Sequence, residues 1–459
     1  DSVRKDDDTV GSAPLVISRS NETKPISSRR SWFSRTDRYQ NVKTSSERID
    51  EIVGKSSIYL ANLTPSSNFQ GQLFNDGKSF IVDSAYQLAS GYVNDKIQAI
   101  PFFAQTSFAL SAGSESETNF AFDSLMKLKE LGNDSDGDIK GISISKSEKN
   151  IRLTIGTSKS PNNIYVYDMS NKDLKKLTET LNPEININDM VAAGVVRYSS
   201  FDGLEIPAIY YKPLDATKEN KAPALVWVHG GPGGQSRTGY SSFIQYLVNH
   251  GYAILAVNNR GSSGYGKTFY KMDDLNHGDK DLKDCIWGKK WLQNQDYIYS
   301  EKIGIIGGSY GGYMTMAAMT FTPDEFKVGV NIFGVTNWLR TLKSIPPYWE
   351  SFRNALYKEM GDPTTADSVR LYEISPVFHS DKVKNPVMVL QGANDPRVLK
   401  IESDEIVAGI EANGITVEYV VFDDEGHGFR KKENEIEAYG KVLSFLETYL
   451  KNDVKTLQN

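Results

Sequence analysis

The chain has 459 residues, more than one ordinary hydrophobic core accommodates, so two domains are expected. Hydrophobic residues make up 39% and charged residues 24%, as in a globular protein, and a net charge of −6 argues against non-specific nucleic-acid binding. No apolar run approaches the ~18 residues of a membrane span.

The only cysteine, Cys285, lies in a helix-like segment and reads as a buried structural thiol. One cysteine and five scattered histidines give no metal-ligand spacing, so neither a metal nor another cofactor is expected. The chain begins at Asp1 with no signal-peptide pattern, which reads as processing or trimming. Cytoplasmic and exported locations stay equally compatible.

Residues 1 to about 50 are polar, rich in serine and arginine, and weakly patterned. From Lys55 to about Asp189 the texture is β. Ser57–Leu63 alternates, and a turn signal at Asn75-Asp76-Gly77 precedes Ser79–Val82. Gly141–Ser145, Ile151–Ile155 and Asn163–Asp168 read as further strands, with Lys176–Thr178 a fourth. Short strands at regular spacing suggest propeller blades over a sandwich. At ~40–50 residues per blade, such a region holds about four, fewer than most closed propellers need. An all-β domain over 1–190, propeller-like but shortened or partial, is therefore expected. Its open strand edges would favour self-association as a homo-oligomer.

At Val195 the pattern changes. A hairpin, Val195–Ser199 and Pro207–Tyr211 around Asp202-Gly203, leads to the apolar strand Ala224–Val228. There follow a helix (Ser241–Asn249), a strand (Tyr252–Val257), a helix (Asp281–Gln293), the strand Ile303–Ile306 and a helix (Tyr313–Phe321). Strands Val328–Ile332, Val387–Leu390 and Thr416–Phe422 come next, with helices Ile401–Ala412 and Asn434–Leu450 among and after them. Strands alternating with helices imply one mostly parallel, doubly wound sheet over 191–459. The aromatic-rich stretch Thr341–Met360, carrying Pro346-Pro347, interrupts the alternation as an insertion near the site.

The chemistry centres on Gly307-Gly308-Ser309-Tyr310-Gly311, set between a strand and a helix. G-x-S-x-G in that setting is the pattern of a nucleophile elbow. A serine on so sharp a turn needs its neighbours two positions away stripped of side chains, which Gly307 and Gly311 provide. A serine nucleophile needs a base, and the base an orienting acid, in the order Ser, Asp, His along this fold class. Asp395 follows the strand Val387–Leu390, and His427 follows the last strand, both at the strand ends where open parallel sheets place their sites. His250, His277 and His379 sit at a helix end, in a polar loop and before a strand, as packing or surface histidines do. Asp423, Asp424 and Glu425 share the loop of His427 and read as solvated or supporting groups. His229-Gly230-Gly231-Pro232 after a strand matches an oxyanion loop, with the N–H groups of Tyr310 and Gly231 as the donors.

These segments resemble the prolyl oligopeptidase family of serine peptidases, most closely its acylaminoacyl-peptidase-like branch. The matching stretches are VHGGPGG (228–234), NNRGSSGYGKTF (258–269), GGSYGGYMT (307–315), QGANDPRV (391–398) and DEGHGF (424–429). The resemblance covers roughly residues 190 to 450. It implies an α/β-hydrolase domain preceded by a β-propeller that screens the site, and exo- or oligopeptidase activity on short peptides. Tyr310 matches this branch and the dipeptidyl peptidases, whereas prolyl-specific members usually carry Asn there. The N-terminal half departs from the family in length. The expectation is a serine peptidase working through Ser309, Asp395 and His427, with a carboxylesterase using the same triad as the alternative.

Overall fold

A strand that is apolar at every position needs cover on both faces, and Ala253–Val257 is such a strand within the main sheet of this fold. The computed structural model describes residues 137–452, apart from 148 and 172, together with short strand segments earlier in the chain. Those early segments are Leu15–Ile17, Val42–Lys43 and Ile81–Val82, which form a three-stranded sheet, and the hairpin Ser90–Val93 with Lys96–Ala99. The expected strand Ser57–Leu63 and the turn Asn75–Gly77 lie outside the described residues. Two compact units divide at Ile187/Asn188, the first also taking in Ser263–Tyr270.

In the first unit, β1 (Asp138–Ile144), β2 (Asn150–Gly156), β3 (Asn163–Asp168) and β4 (Asp173–Lys176) make an antiparallel four-stranded meander. Ile151, Leu153 and Tyr167 are buried apolar side chains of this meander, and Asn163 is buried with them. β4 begins earlier than the expected Lys176–Thr178. The reason is the Asp168 turn, where the Asp168 carboxylate accepts from Ser170 N–H at 2.7 Å and Asp168 pairs directly with Asp173. Thr178 serves instead as a side-chain partner, donating to Asn163 Oδ1 at 3.0 Å.

The second unit is built on β5 (Gly194–Ser199), β6 (Glu205–Tyr211), β7 (Ala222–Val228), β8 (Ala253–Val257), β9 (Ile298–Gly308), β10 (Gly329–Ile332), β11 (Val387–Gly392) and β12 (Val417–Phe422). Their order across the sheet is β5-β6-β8-β7-β9-β10-β11-β12. β5 and β6 run antiparallel, and every pairing from β8 to β12 is parallel. β8 and β11 are buried throughout, which is why Ala253–Val257 and Val387–Leu390 are unbroken apolar runs. This mixed eight-stranded sheet is the α/β-hydrolase fold.

Helices α1 (Ser242–Asn249), α2 (Lys280–Gln293), α3 (Tyr310–Phe321), α4 (Trp338–Ser344), α5 (Glu350–Met360), α6 (Asp367–Glu373), α7 (Lys400–Ala412) and α8 (Lys432–Leu446) accompany the sheet. Ser241 caps α1 by accepting from Ile244 N–H at 3.3 Å. α1 and α8 cover one core with β6, β7 and β8, where Phe243 stacks on Tyr439 with ring centroids 4.1 Å apart. The stretch Thr341–Met360 forms the end of α4, a short 3-10 turn and α5, with Tyr348 and Phe352 exposed. Among the described residues no helix is long and apolar enough to cross a membrane.

Two departures from sequence expectation matter for the site. β9 spans Ile298–Gly308, longer than its apolar run, and α3 starts at Tyr310, three residues before the expected Tyr313. The strand therefore ends and the helix begins on either side of a single residue, Ser309.

Candidate active site

One residue between a strand and a helix must adopt a backbone conformation that neither element uses. Ser309 does so with φ 57° and ψ −118°, in the left-handed region that an L-residue enters only under strain. Its own N–H donates to Ile332 O at 2.9 Å, which anchors the turn to β10. A Cβ on Gly311 would lie 2.0 Å from Val228 O, and one on Gly307 would lie 2.5 Å from the Gly311 backbone. Both glycines are thus required by the close approach of α3 to β7 and β9.

The structure brings Ser309, His427 and Asp395 together. His427 Nε2 is 3.0 Å from Ser309 Oγ, and His427 Nδ1 is 2.7 Å from Asp395 Oδ2. With a carboxylate at Nδ1, that nitrogen carries the proton and Nε2 is left to accept from the serine hydroxyl. The other oxygen of Asp395 accepts from Arg397 N–H at 2.8 Å and Val398 N–H at 2.9 Å, so the loop holds the carboxylate in one orientation. Asp395 is buried, whereas Ser309 and His427 keep partial access to solvent. Phe333, itself at φ 42°, lies against the imidazole with ring centroids 4.8 Å apart. Nothing in the sequence singles it out beyond its place after β10.

The loop after β7 runs beside the serine. A Cβ on Gly230 would fall 3.6 Å from Ser309 Cβ, which places this loop in direct contact distance of the serine. His229 pins this loop, its Nδ1 2.8 Å from Gly230 O and its Nε2 2.8 Å from Ser262 Oγ. Burial lowers the His229 pKa, against the opposing Gly230 carbonyl contact. Gly231 follows, exposed, where an added Cβ would lie 2.6 Å from Gly233 N and 2.9 Å from Gly234 N. Tyr310 opens α3, where the first amides of a helix have no partner within it.

Sequence reasoning missed what lies behind Tyr310. Its phenol donates to Asp281 Oδ2 at 2.5 Å, and both side chains are buried. Burial pushes the Asp281 carboxyl up to about 6, opposed by His277 and the Tyr310 hydroxyl. Tyr313 and Trp338 pack against the same ring. Glu402, also buried, accepts from Thr336 N–H and Asn337 N–H at 3.0 Å and from Thr341 Oγ1 at 2.6 Å, tying the segment after β10 to α7.

The other sequence candidates sit apart from the serine. His250 caps α1, its Nδ1 2.7 Å from Tyr246 O. His379 packs edge-on to Phe321 and Tyr372. Glu425 is buried and accepts from Arg430 and Lys431 N–H, supporting the entry to α8, while Asp423 and Asp424 are exposed. Cys285 is fully buried, and burial raises its thiol pKa. His277 lies with buried Asp273 and half-buried Glu359, a grouping of metal-ligating atoms that sequence spacing did not reveal.

An eight-stranded α/β-hydrolase sheet with a strained serine, a histidine and a buried aspartate in hydrogen-bonding line defines the class of serine hydrolases. Residues 238–453 match the model of the Prolyl oligopeptidase family, and this C-terminal domain belongs to it. The chain is 39% identical over 317 residues to dipeptidyl aminopeptidase BIII of Pseudoxanthomonas mexicana, covering 68% of this chain and 45% of that protein. It is 33% identical over 344 residues to dipeptidyl peptidase family member 6 of Caenorhabditis elegans, covering 70% of this chain and 46% of the relative. Among solved structures, an acylaminoacyl peptidase of Pyrococcus horikoshii superposes with a TM-score of 0.61 at 26% identity, over 69% of this chain and 50% of its own. The chain thus spans about half the length of the relatives it matches.

Proposed function

We propose that this protein is a serine-type peptidase that hydrolyses short peptides through an acyl-enzyme. The observation that carries the reading is the unbroken line from Asp395 through His427 to Ser309. In the first half-reaction Ser309 Oγ attacks the scissile carbonyl carbon while His427 Nε2 takes the hydroxyl proton. The carbonyl oxygen becomes an oxyanion held by the N–H groups of Tyr310 and Gly231. His427 then returns the proton to the departing amine, the C–N bond breaks, and an ester to Ser309 remains. Water attacks that ester by the same route, regenerating the serine. Asp395 keeps the imidazole in the required tautomer and stabilises its cation.

In this reading residues 191–459 form the catalytic domain and 1–190 belong to a propeller-like cover. The meander β1–β4 supports the second assignment, since four antiparallel strands in chain order are the make-up of a propeller blade. The names of the relatives, dipeptidyl and acylaminoacyl peptidases, point to the N-terminal end of peptides as the place of cleavage.

The test has two arms. A fluorophosphonate should label Ser309 stoichiometrically, and free dipeptide and acyl-aminoacyl anilides should both be assayed beside short acyl esters. Turnover of an anilide supports the peptidase. Turnover of esters alone would replace it by a carboxylesterase, and labelling at another residue would overturn the site.

A further inference from the structure

The segment before α2 carries a cluster of charge that the proposed reaction does not use. Asp273 and His277 sit four residues apart, and Glu359 comes from the end of α5. His277 Nε2 is 3.3 Å from Asp273 Oδ2 and 3.9 Å from Glu359 Oε1, and the three ligand atoms lie within 4.8 Å of one another. The His277 side chain is fully buried and that of Asp273 is 1% exposed.

Burial makes polar groups costly unless they are paired. Yet Asp273 Oδ1 and His277 Nδ1 have no hydrogen-bond partner, and His277 Nε2 and Glu359 Oε1 meet only at ion-pair distance, without hydrogen-bond geometry. Charge sharpens the problem. Asp281 also faces His277, although its carboxylate is occupied by Tyr310 O–H and Leu282 N–H. Two further carboxylates converge on one imidazole, so even a protonated His277 leaves excess negative charge at a largely buried site.

The backbone holds this arrangement in place. Leu275, at φ 56°, donates its N–H to Glu359 O at 2.9 Å, fixing α5 to the Asp273–His277 segment. A Cβ on Gly261 would strike Asp273 Oδ2 at 1.9 Å, so the carboxylate is pressed against a bare backbone.

We propose that Asp273, His277 and Glu359 bind one divalent transition-metal ion. Ligand atoms about 2.0–2.2 Å from such an ion stand roughly 3.0–3.6 Å apart in tetrahedral geometry, and one imidazole with two carboxylates is a donor set that zinc accepts. The 3.3 Å separation already meets this, and Glu359, the most exposed of the three, closes the remainder. The ion would neutralise the cluster and clamp α5 to the segment leading into α2. Its role is structural, because His277 lies behind the Tyr310 ring at a centroid distance of 5.8 Å rather than beside Ser309 Oγ.

The test uses the full chain, freed of any affinity tag, dialysed against zinc sulfate and then against metal-free buffer. Elemental analysis should find about one zinc per chain, and EDTA should lower the thermal midpoint. Glu359→Gln, at the most accessible ligand, should weaken zinc retention at least about tenfold while the protein stays folded, and Ser309→Ala should leave it unchanged. His277→Ala should abolish retention. Zinc below about a tenth of an equivalent, with a thermal midpoint indifferent to zinc and EDTA, would overturn the proposal and leave the cluster a buried ion pair on a protonated His277. Retention unaffected by Glu359→Gln and His277→Ala would overturn it equally, by placing the ion elsewhere. None of these readouts depends on peptidase activity.

Discussion

Asp395 and His427 meet through a 2.7 Å contact in which the carboxylate is fully buried and the imidazole keeps 13% of its side chain exposed. The acid is fixed from behind by two amides, so the histidine can turn only about a bond to an immobile partner. Asp395→Asn keeps the shape but offers an amide that can donate to Nδ1 and stabilise the wrong tautomer. Its kcat should fall by roughly 10³–10⁴ with KM little changed. Steady-state kinetics on a peptide anilide checks this, and a KM effect alone would remove Asp395 from the triad.

Ser309→Ala should lower turnover by at least about a thousandfold while a substrate analogue still binds. Isothermal titration beside a rate assay separates the two. Residual activity within about tenfold of wild type would mean that another group attacks.

Two glycines make opposite predictions. Gly311→Ala places a methyl 2.0 Å from Val228 O, where only backbone could yield, and should cost at least about 2 kcal/mol and most of the activity. Gly440→Ala, within α8 and with nothing within 4 Å of the added methyl, should instead stabilise by about 0.5–1 kcal/mol. Urea unfolding of both variants reads the contrast directly.

Arg260 ties the β5–β6 hairpin to α2. It donates from Nε and Nη2 to the fully buried Asp284 at 2.9 Å, and from Nη1 and Nη2 to Asp202 at 2.9 and 3.0 Å. Arg260→Met leaves the Asp284 charge buried without a counter-ion and should cost about 3–5 kcal/mol. Adding Asp284→Asn to that variant should recover part of the loss. A double variant no more stable than Arg260→Met would show that the charge is not the cause.

His229 links stability to pH. Its folded-state pKa is depressed by burial, so on acidification the unfolded chain takes up the proton first. Its contribution is therefore intact above the ordinary histidine value of about 6.5 and is lost as the pH falls through it. Between about pH 7.5 and 5.5 the wild type should lose more stability than His229→Gln, measured as urea midpoints. Parallel slopes would exclude His229 as a source of acid sensitivity.

Much of the site was legible in the sequence because its chemistry demands particular residues at fixed places on a strand-and-loop framework. Gly307 and Gly311 around Ser309 are forced by backbone crowding, and a motif fixed by sterics reads the same before and after folding. The continuous apolar runs of β8 and β11 likewise announce strands covered on both faces.

Tertiary structure alone decided the rest. The length of β9 beyond its apolar run follows from pairing with β7, which draws in residues up to Ile298 that have no strand pattern of their own. The partnership of Tyr310 with Asp281 joins side chains from α2 and α3, and that of Glu402 with Thr336 joins α7 to the segment after β10. The meeting of Glu359 with Asp273 and His277 depends on where α5 ends against the segment before α2. Nothing local encodes such contacts, because a buried carboxylate's partners are chosen by which elements the sheet order sets side by side.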